Sequence, residues 1–156
     1  MTATRDILLV DQRWATLKDI PAFLSIEQST AHPWNEAHFR AAYADRDTIS
    51  RVAEASGRVV GFAVYRVKTV SLSVLNMVVA PEVRRRRVGT QLVGTLVDQL
   101  TKQRRVIYVN VRESNLGAQL FLRENGFKYE RTMIPGTFED PDEDGYEFAR
   151  RYDRRD

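Results

Sequence analysis

Apolar and polar positions alternate along this chain with two different periods, and the changes of period mark its elements. Trp14 to Leu17 reads as a short first strand. Asp19 before Ile20-Pro21 is a helix N-cap signal with proline in the first turn, and Ile20, Phe23, Leu24 and Glu27 define one helix face. After Ala31-His32-Pro33-Trp34, Asn35 is a second N-cap, opening a helix through Phe39 and Tyr43 that ends near Asp45. Ser50 to Ala55 and Arg58 to Val67 are strand-like runs separated by Ser56-Gly57, a hairpin signature. A further strand runs from Ser71 to Val79 and stops at Ala80-Pro81.

From Val88 the period lengthens. Leu92, Val93, Leu96, Val97 and Leu100 lie on one face of a helix expected to end near Gln103. Val106 to Val111 is a nearly continuous apolar run, as a strand inside a sheet requires. Ser114-Asn115 caps another helix that closes at Asn125-Gly126, a standard stop. Lys128 to Thr132 and Tyr146 to Tyr152 form a closing antiparallel pair around an acidic loop, residues 138–145. The order is β-α-α-β-β-β-α-β-α-β-β, which predicts an α/β fold with a mixed central sheet and helices on both faces. The strand ending at Val79, the helix from Val88 and the strand from Val106 make one βαβ unit, expected to cross over right-handed.

The 156 residues suit one domain, with 43% hydrophobic and 29% charged residues in the range of ordinary globular chains. The expected organisation is an extension over residues 1–12, a domain over 13–152 and a tail over 153–156 whose arginines, with Arg150 and Arg151, read as frayed. No cysteine is present and only two histidines, His32 and His38, so thiolate metal sites, cysteine nucleophiles and histidine-built zinc sites drop out, and no metal is expected. The short apolar stretch Ile7 to Val10 is too brief for a signal-peptide core or a membrane span, so a cytoplasmic protein without a membrane partner is expected.

Charge sharpens the picture at one place. The chain carries a net +3, yet Arg84-Arg85-Arg86-Arg87 alone contributes four positive charges, and without that run the balance turns slightly negative. The run sits in the loop of the βαβ unit, where unpaired N–H groups and the dipole of the following helix attract phosphate oxygens. A solvated basic patch or nucleic-acid contact is the plainer reading of four like charges. The placement between a buried strand and a helix turn containing Gly89 favours a pyrophosphate. Neither Gly-Lys-Ser/Thr nor Gly-x-Gly-x-x-Gly accompanies the run.

The stretch Val78-Val79-Ala80-Pro81-Glu82-Val83-Arg84-Arg85-Arg86-Arg87-Val88-Gly89-Thr90-Gln91-Leu92-Val93 resembles the coenzyme A loop of the GNAT family of N-acetyltransferases, whose pattern is Arg/Gln-x-x-Gly-x-Gly/Ala after a strand. Val109-Asn110-Val111-Arg112-Glu113-Ser114-Asn115, with Ala118 and Asn125-Gly126-Phe127, resembles the family's next strand and helix. Ile26-Glu27 and Pro33-Trp34-Asn35-Glu36-Ala37-His38-Phe39 are similar to the ribosomal-protein alanine N-acetyltransferases in particular. The match spans roughly residues 13 to 152.

The resemblance implies an acetyl-CoA-dependent N-acetyltransferase acting on a protein or peptide N-terminus by direct attack in a ternary complex. Met77, Val78 and Val79 would pair with the pantetheine arm, and the Val78 N–H would serve as oxyanion donor. Arg84, Arg85, Arg86, Arg87, Val88, Gly89 and Thr90 would cradle the pyrophosphate, and Asn115 would contact the cofactor. Two positions depart from the pattern. Arg87 stands where the loop has its first glycine, so its side chain must turn outwards. Asn110 stands at the base position, where an amide can orient a water but not take a proton, and Leu122 replaces the acidic tyrosine. Losing either group costs typically ~10²–10⁴ in rate. Glu27, Glu36 or Glu113 could replace the base through water, and Tyr108, Tyr129 or Tyr146 the acid. A small-amine acetyltransferase and a catalytically weak coenzyme A-binding sensor are the alternatives, a nucleic-acid module is a distant fourth, and a homodimer is left open.

Overall fold

The computed structural model describes residues 6–133 and 143–153. Among them seven strands hydrogen-bond in the order β1-β2-β3-β4-β5-β7-β6, interleaved with four α-helices in the order the sequence predicts. They gather into two compact units, one of residues 6–67 and 76–95, the other of residues 68–75 with the chain from 96 onward.

In the first unit β1 is Asp11–Trp14, α1 is Ile20–Glu27, α2 is Glu36–Ala44, and β2 (Thr48–Ala55) and β3 (Arg58–Val67) form an antiparallel hairpin. The hairpin turn is Ser56-Gly57, both at positive φ (52° and 74°), the backbone such two-residue turns demand. Asn35 caps α2 by accepting from the His38 N–H at 3.0 Å, while the Asn35 N–H donates to His38 Nδ1 at 3.0 Å. The reciprocal bonds occupy His38 in the cap.

The first strand lies earlier than Trp14 to Leu17. Leu17–Asp19 is a single 3-10 turn, and Trp14 is 71% exposed. The cause is an ion pair between a half-exposed arginine and a buried aspartate that the apolar pattern does not show. Arg13 grips Asp19 with two parallel bonds of 2.8 Å and also pairs with Glu54 on β2, while the Thr16 N–H donates to Asp19 at 2.7 Å. These bonds hold the Asp19 carboxyl below the usual carboxylate range, the Arg13 bond foremost. Asp19 stands at the N-cap of α1 without capping through its side chain.

Residues Val60 to Tyr65 of β3 are all buried, Gly61 included, and their alternation places helices on both faces. Phe62 stacks on Phe23 of α1 (4.5 Å between ring centres) and Phe39 of α2 (5.5 Å). On the other face Gly61 receives α3 (Val88–Val97): a β-carbon there would stand 3.2 Å from the Val78 carbonyl oxygen and 3.4 Å from a Val88 methyl.

The second unit contains the first half of β4 (Ser71–Val79), paired parallel with β5 (Val106–Arg112) from Ser71↔Val106 to Val74↔Val109, where the registered pairing stops. α4 is Leu116–Glu124, and β6 (Lys128–Met133) and β7 (Gly145–Arg151) complete the unit, β7 lying between β5 and β6. Asn115 caps α4 by accepting from the Ala118 N–H, and Gly126 at φ 85° ends it. α3 stops at Val97 rather than near Gln103. The Gln99 and Leu100 N–H groups reach back three residues, and Thr101 Oγ1 accepts from the N–H groups of Gln103 and Arg104. Leu100 is buried, but on this turn.

Arg150 and Arg151 are strand residues, not a frayed end. Arg150 donates to the Asn125 carbonyl at 2.9 Å, and Arg151 pairs with Glu130. Residues 154–156 lie outside the described part, as does the acidic loop up to residue 142. Glu143, at the end of that acidic loop, accepts from the Ser114 hydroxyl and N–H (2.9 Å for the latter) and pairs with Arg112 at 3.1 Å. These bonds, the Ser114 hydroxyl first, lower its carboxyl from 4.5 to about 2. No helix among the described residues is long and apolar enough to cross a membrane.

Two outcomes follow from these contacts. Gly61→Ala presses a methyl to 3.2 Å from the Val78 carbonyl oxygen, tighter than ordinary van der Waals contact, which costs about 1–3 kcal/mol and lowers Tm by roughly 3–10 °C; calorimetry checks this. A carboxyl depressed in the folded state stabilises above its unfolded pKa and loses that contribution as pH falls through the folded one. Glu143→Gln therefore flattens the loss of stability between pH 4.5 and 2, measured by urea unfolding across that range.

Candidate functional site

The arginine run begins where β4 ends. The Ala80 N–H donates to the Val60 carbonyl at 2.8 Å, Pro81–Val83 makes one 3-10 turn, and Arg84 leaves it in an extended conformation. Two of the next three residues are left-handed, Arg85 at φ 64° and Arg87 at φ 63°. For a residue with a β-carbon that conformation costs roughly 1–2 kcal/mol. Arg87 thus adopts, at a cost, the backbone that the loop pattern assigns to glycine, with its side chain exposed as the sequence requires. Alternation of left-handed and right-handed helical residues is the backbone pattern that can turn successive N–H groups to one side, as anion-binding concavities require. Val88 and Gly89, the first residues of α3, are buried.

The four guanidiniums do not act alike. Arg84 reaches back, donating to Ser29 Oγ at 3.0 Å and the Val79 carbonyl at 3.4 Å, and Arg86 donates to the Asp6 carbonyl at 3.2 Å. Arg85 and Arg87 are exposed. The loop offers backbone donors, two outward cations and a helix N-terminus of ten residues, a donor set suited to a pyrophosphate. Just before it, Met77 and Val79 are half-buried and Val78 is buried.

Glu27, a candidate base working through water, is consumed by structure instead. It is 2% exposed and ends α1, where it accepts from the Trp34 N–H at 2.9 Å, from Thr30 Oγ1 at 3.3 Å and from the Asn76 amide. A buried carboxylate persists only when paired or hydrogen-bonded, and here three donors tie the turn after α1, the segment before α2 and β4 to one another. Glu36 is exposed and pairs with Arg40 on its own helix.

In the second unit Asn110 is exposed on β5, opposite Glu147 of β7. Asn115 is exposed but spends its side-chain oxygen on the α4 cap. Leu122, at the position of the missing tyrosine, is 3% exposed and packs in the core. Among the substitute hydroxyls, Tyr129 is bonded to Thr132 (2.7 Å), and Tyr146 is half-buried against Tyr129, with ring centres 5.7 Å apart. Burial raises the Tyr146 phenol above its ordinary pKa, with the Glu113 and Asp144 carboxylates adding to the effect. It stays protonated at neutral pH. No cluster of three metal-ligating side chains occurs among the described residues.

The structure thus brings Met77, Val78, Val79 and Arg84 to Thr90 into one continuous strand, loop and helix start, while Asn110 and Asn115 belong to the other unit. Sequence reasoning missed Gln91, whose side-chain amide bonds the backbone of Leu8, Val10 and Arg87. Its one signal is a polar residue beside the apolar face of α3. It also missed Asn76 as the partner of Glu27, a pairing of residues 49 apart that no local pattern encodes.

Residues 16–127 match the Acetyltransferase (GNAT) family. The chain is 30% identical over 111 residues to the [Ribosomal protein bS18]-alanine N-acetyltransferase of Escherichia coli (strain K12), covering 70% of this chain and 74% of that protein. Among solved structures it resembles the ribosomal-protein-S18-alanine N-acetyltransferase from Escherichia coli, at TM-score 0.78 and 24% identity over 92% of this chain and 94% of that one. It also resembles yncA from Salmonella typhimurium, solved with its cofactor acetyl-CoA, at TM-score 0.71 and 19% identity over 93% and 95% of the two chains. With the family pattern matched over more than half its length, and the sheet order and arginine loop in place, the chain belongs to the GNAT family of acetyltransferases.

Proposed function

We propose that this acyltransferase carries acetyl from acetyl-CoA to the amine of a protein or peptide N-terminus. The observation that carries the reading is the arginine loop. Its alternating left-handed residues, exposed Arg85 and Arg87, and the start of α3 make an anion cradle directly after a strand. In this reading the backbone N–H groups of Arg85 to Thr90 hold the pyrophosphate and the backbone of Met77 to Val79 takes the pantetheine arm. Termination of the registered β4–β5 pairing at Val74 supports that role, since strand backbone past that point is available to a ligand. Acetyl-CoA supplies an acyl group already activated as a thioester. The acceptor class rests on the relative at 30% identity, which acts on an alanine of a ribosomal protein.

With no cysteine to carry the acetyl group, transfer is direct, and positioning the amine against the thioester supplies most of the rate. The Val78 N–H donates to the carbonyl oxygen as charge develops there. The exposed Asn110 amide orients a water that receives the ammonium proton, since the amide itself cannot. Tyr146 keeps its phenolic proton at neutral pH; Asn115, its oxygen committed to the cap, retains its amide donors. With an amide at the position of the family's base, turnover is slow compared with enzymes that have a carboxylate there.

The test is thermal unfolding with acetyl-CoA, followed by release of free thiol with peptides beginning in alanine and with polyamines. At a hundredfold excess over Kd, binding to the native state adds about 2.7 kcal/mol, or roughly 5–10 °C in Tm. Thiol release with peptides above that with polyamines is expected. No shift at millimolar acetyl-CoA overturns the cofactor assignment, and a shift without release from any amine replaces the enzyme by a coenzyme A sensor.

A further inference from the structure

The segment before β1 runs along the arginine loop and is bonded to it at every second residue. The Leu8 N–H donates to the Arg86 carbonyl at 3.0 Å, and Arg86 Nε donates back to the Asp6 carbonyl. Gln91, one turn into α3, treats the segment as a strand edge. Its Oε1 accepts from the Val10 N–H at 3.0 Å and its Nε2 donates to the Leu8 carbonyl at 2.8 Å. The same Nε2 lies 3.1 Å from the Arg87 carbonyl, which the Gln91 N–H also reaches at 3.1 Å. The Gln12 amide closes the row on the Gln91 carbonyl at 3.0 Å.

These bonds fall where the loop is strained. Arg86 sits between the two left-handed arginines and is the half-buried member of a run whose other three residues are exposed. A left-handed arginine persists only where its surroundings over-determine it, and the bonds to Arg86 and Arg87 come from this segment and from Gln91. Of the apolar side chains of the segment, Leu9 is 80% exposed and Ile7 53%, while Leu8 and Val10 are half-buried. Polar bonds to the loop and to Gln91 add to that partial burial in holding the segment in place.

We infer that residues 6–12 are a brace that holds the arginine loop in its anion-binding conformation, with Gln91 as the positioning residue that couples the two. The inference rests on the cofactor reading of the loop. Without the brace the left-handed arginines relax, the competent conformation becomes a fraction of the population, and apparent affinity falls by that fraction. The brace acts on cofactor capture and leaves the acetyl-transfer step alone.

The test uses the full chain carrying Gln91→Ala, or Leu8→Pro, which removes the one N–H bonded to Arg86. Each weakens acetyl-CoA binding by calorimetry roughly tenfold and raises KM for acetyl-CoA, while kcat at saturation holds. Hydrogen exchange of the Arg85–Thr90 amides speeds up in the ligand-free variants. In an Arg87→Gly background, where the strain is relieved, adding Gln91→Ala costs much less affinity than it does in the unsubstituted protein. Unchanged affinity and exchange in both variants overturn the brace, and so does a Gln91→Ala penalty of the same size in both backgrounds. If the unsubstituted protein does not bind acetyl-CoA, the cofactor reading falls, and the ligand-free exchange rates still decide the brace by themselves.

Discussion

The close approach of α3 to β3 at Gly61 sets where the anion loop points. With no side chain there, the Val88 and Leu92 side chains settle against the strand, and the Val78 carbonyl lies beside them. Val88 is the first residue of α3 and directly follows the arginine run, so fixing it fixes the direction of the helix dipole and of the loop amides. One residue along, Phe62 faces the opposite way into the rings of α1 and α2. A single strand therefore anchors both the helix that follows the phosphate loop and the helices that carry Glu27 and Phe39.

The loop stores strain where its relatives' pattern would spend a glycine. Two left-handed arginines raise the cost of the conformation, and the protein offsets it with bonds drawn from residues about eighty positions away in sequence. The exchange has a gain in charge. A glycine contributes only backbone, whereas Arg87 adds an exposed guanidinium next to the same N–H groups. Of the four arginines, Arg84 and Arg86 are occupied in holding the loop to its own protein. The run that looks like a uniform basic patch divides into two structural cations and two outward ones.

Much of this was legible because it is local. The Ser56-Gly57 turn, the Asn35 and Asn115 caps, the stop at Gly126 and the strand ending at Val79 each depend on a few adjacent residues. The failures share a physical cause, contacts distant in sequence. Arg13 reaches Glu54, and with Asp19 it shapes the turn that displaces the first strand. Leu100 continues the helical period beyond Val97, and the hydroxyl of Thr101 collects the following N–H groups in a turn. Glu27 looks like a candidate base because nothing in the sequence says that Trp34, Thr30 and Asn76 fill its acceptors. The departures from the family pattern at Asn110 and Leu122 were readable only by resemblance, and the structure accounts for Leu122 as core.

The central claim is that backbone in one stretch, from β4 through the arginine loop into α3, binds the coenzyme. Titration of ¹⁵N-labelled protein with acetyl-CoA, followed amide by amide, measures this directly. The account predicts that the largest shifts fall at Arg85 to Thr90 and at Met77 to Val79. Saturable binding that leaves those amides unmoved and perturbs others would contradict it.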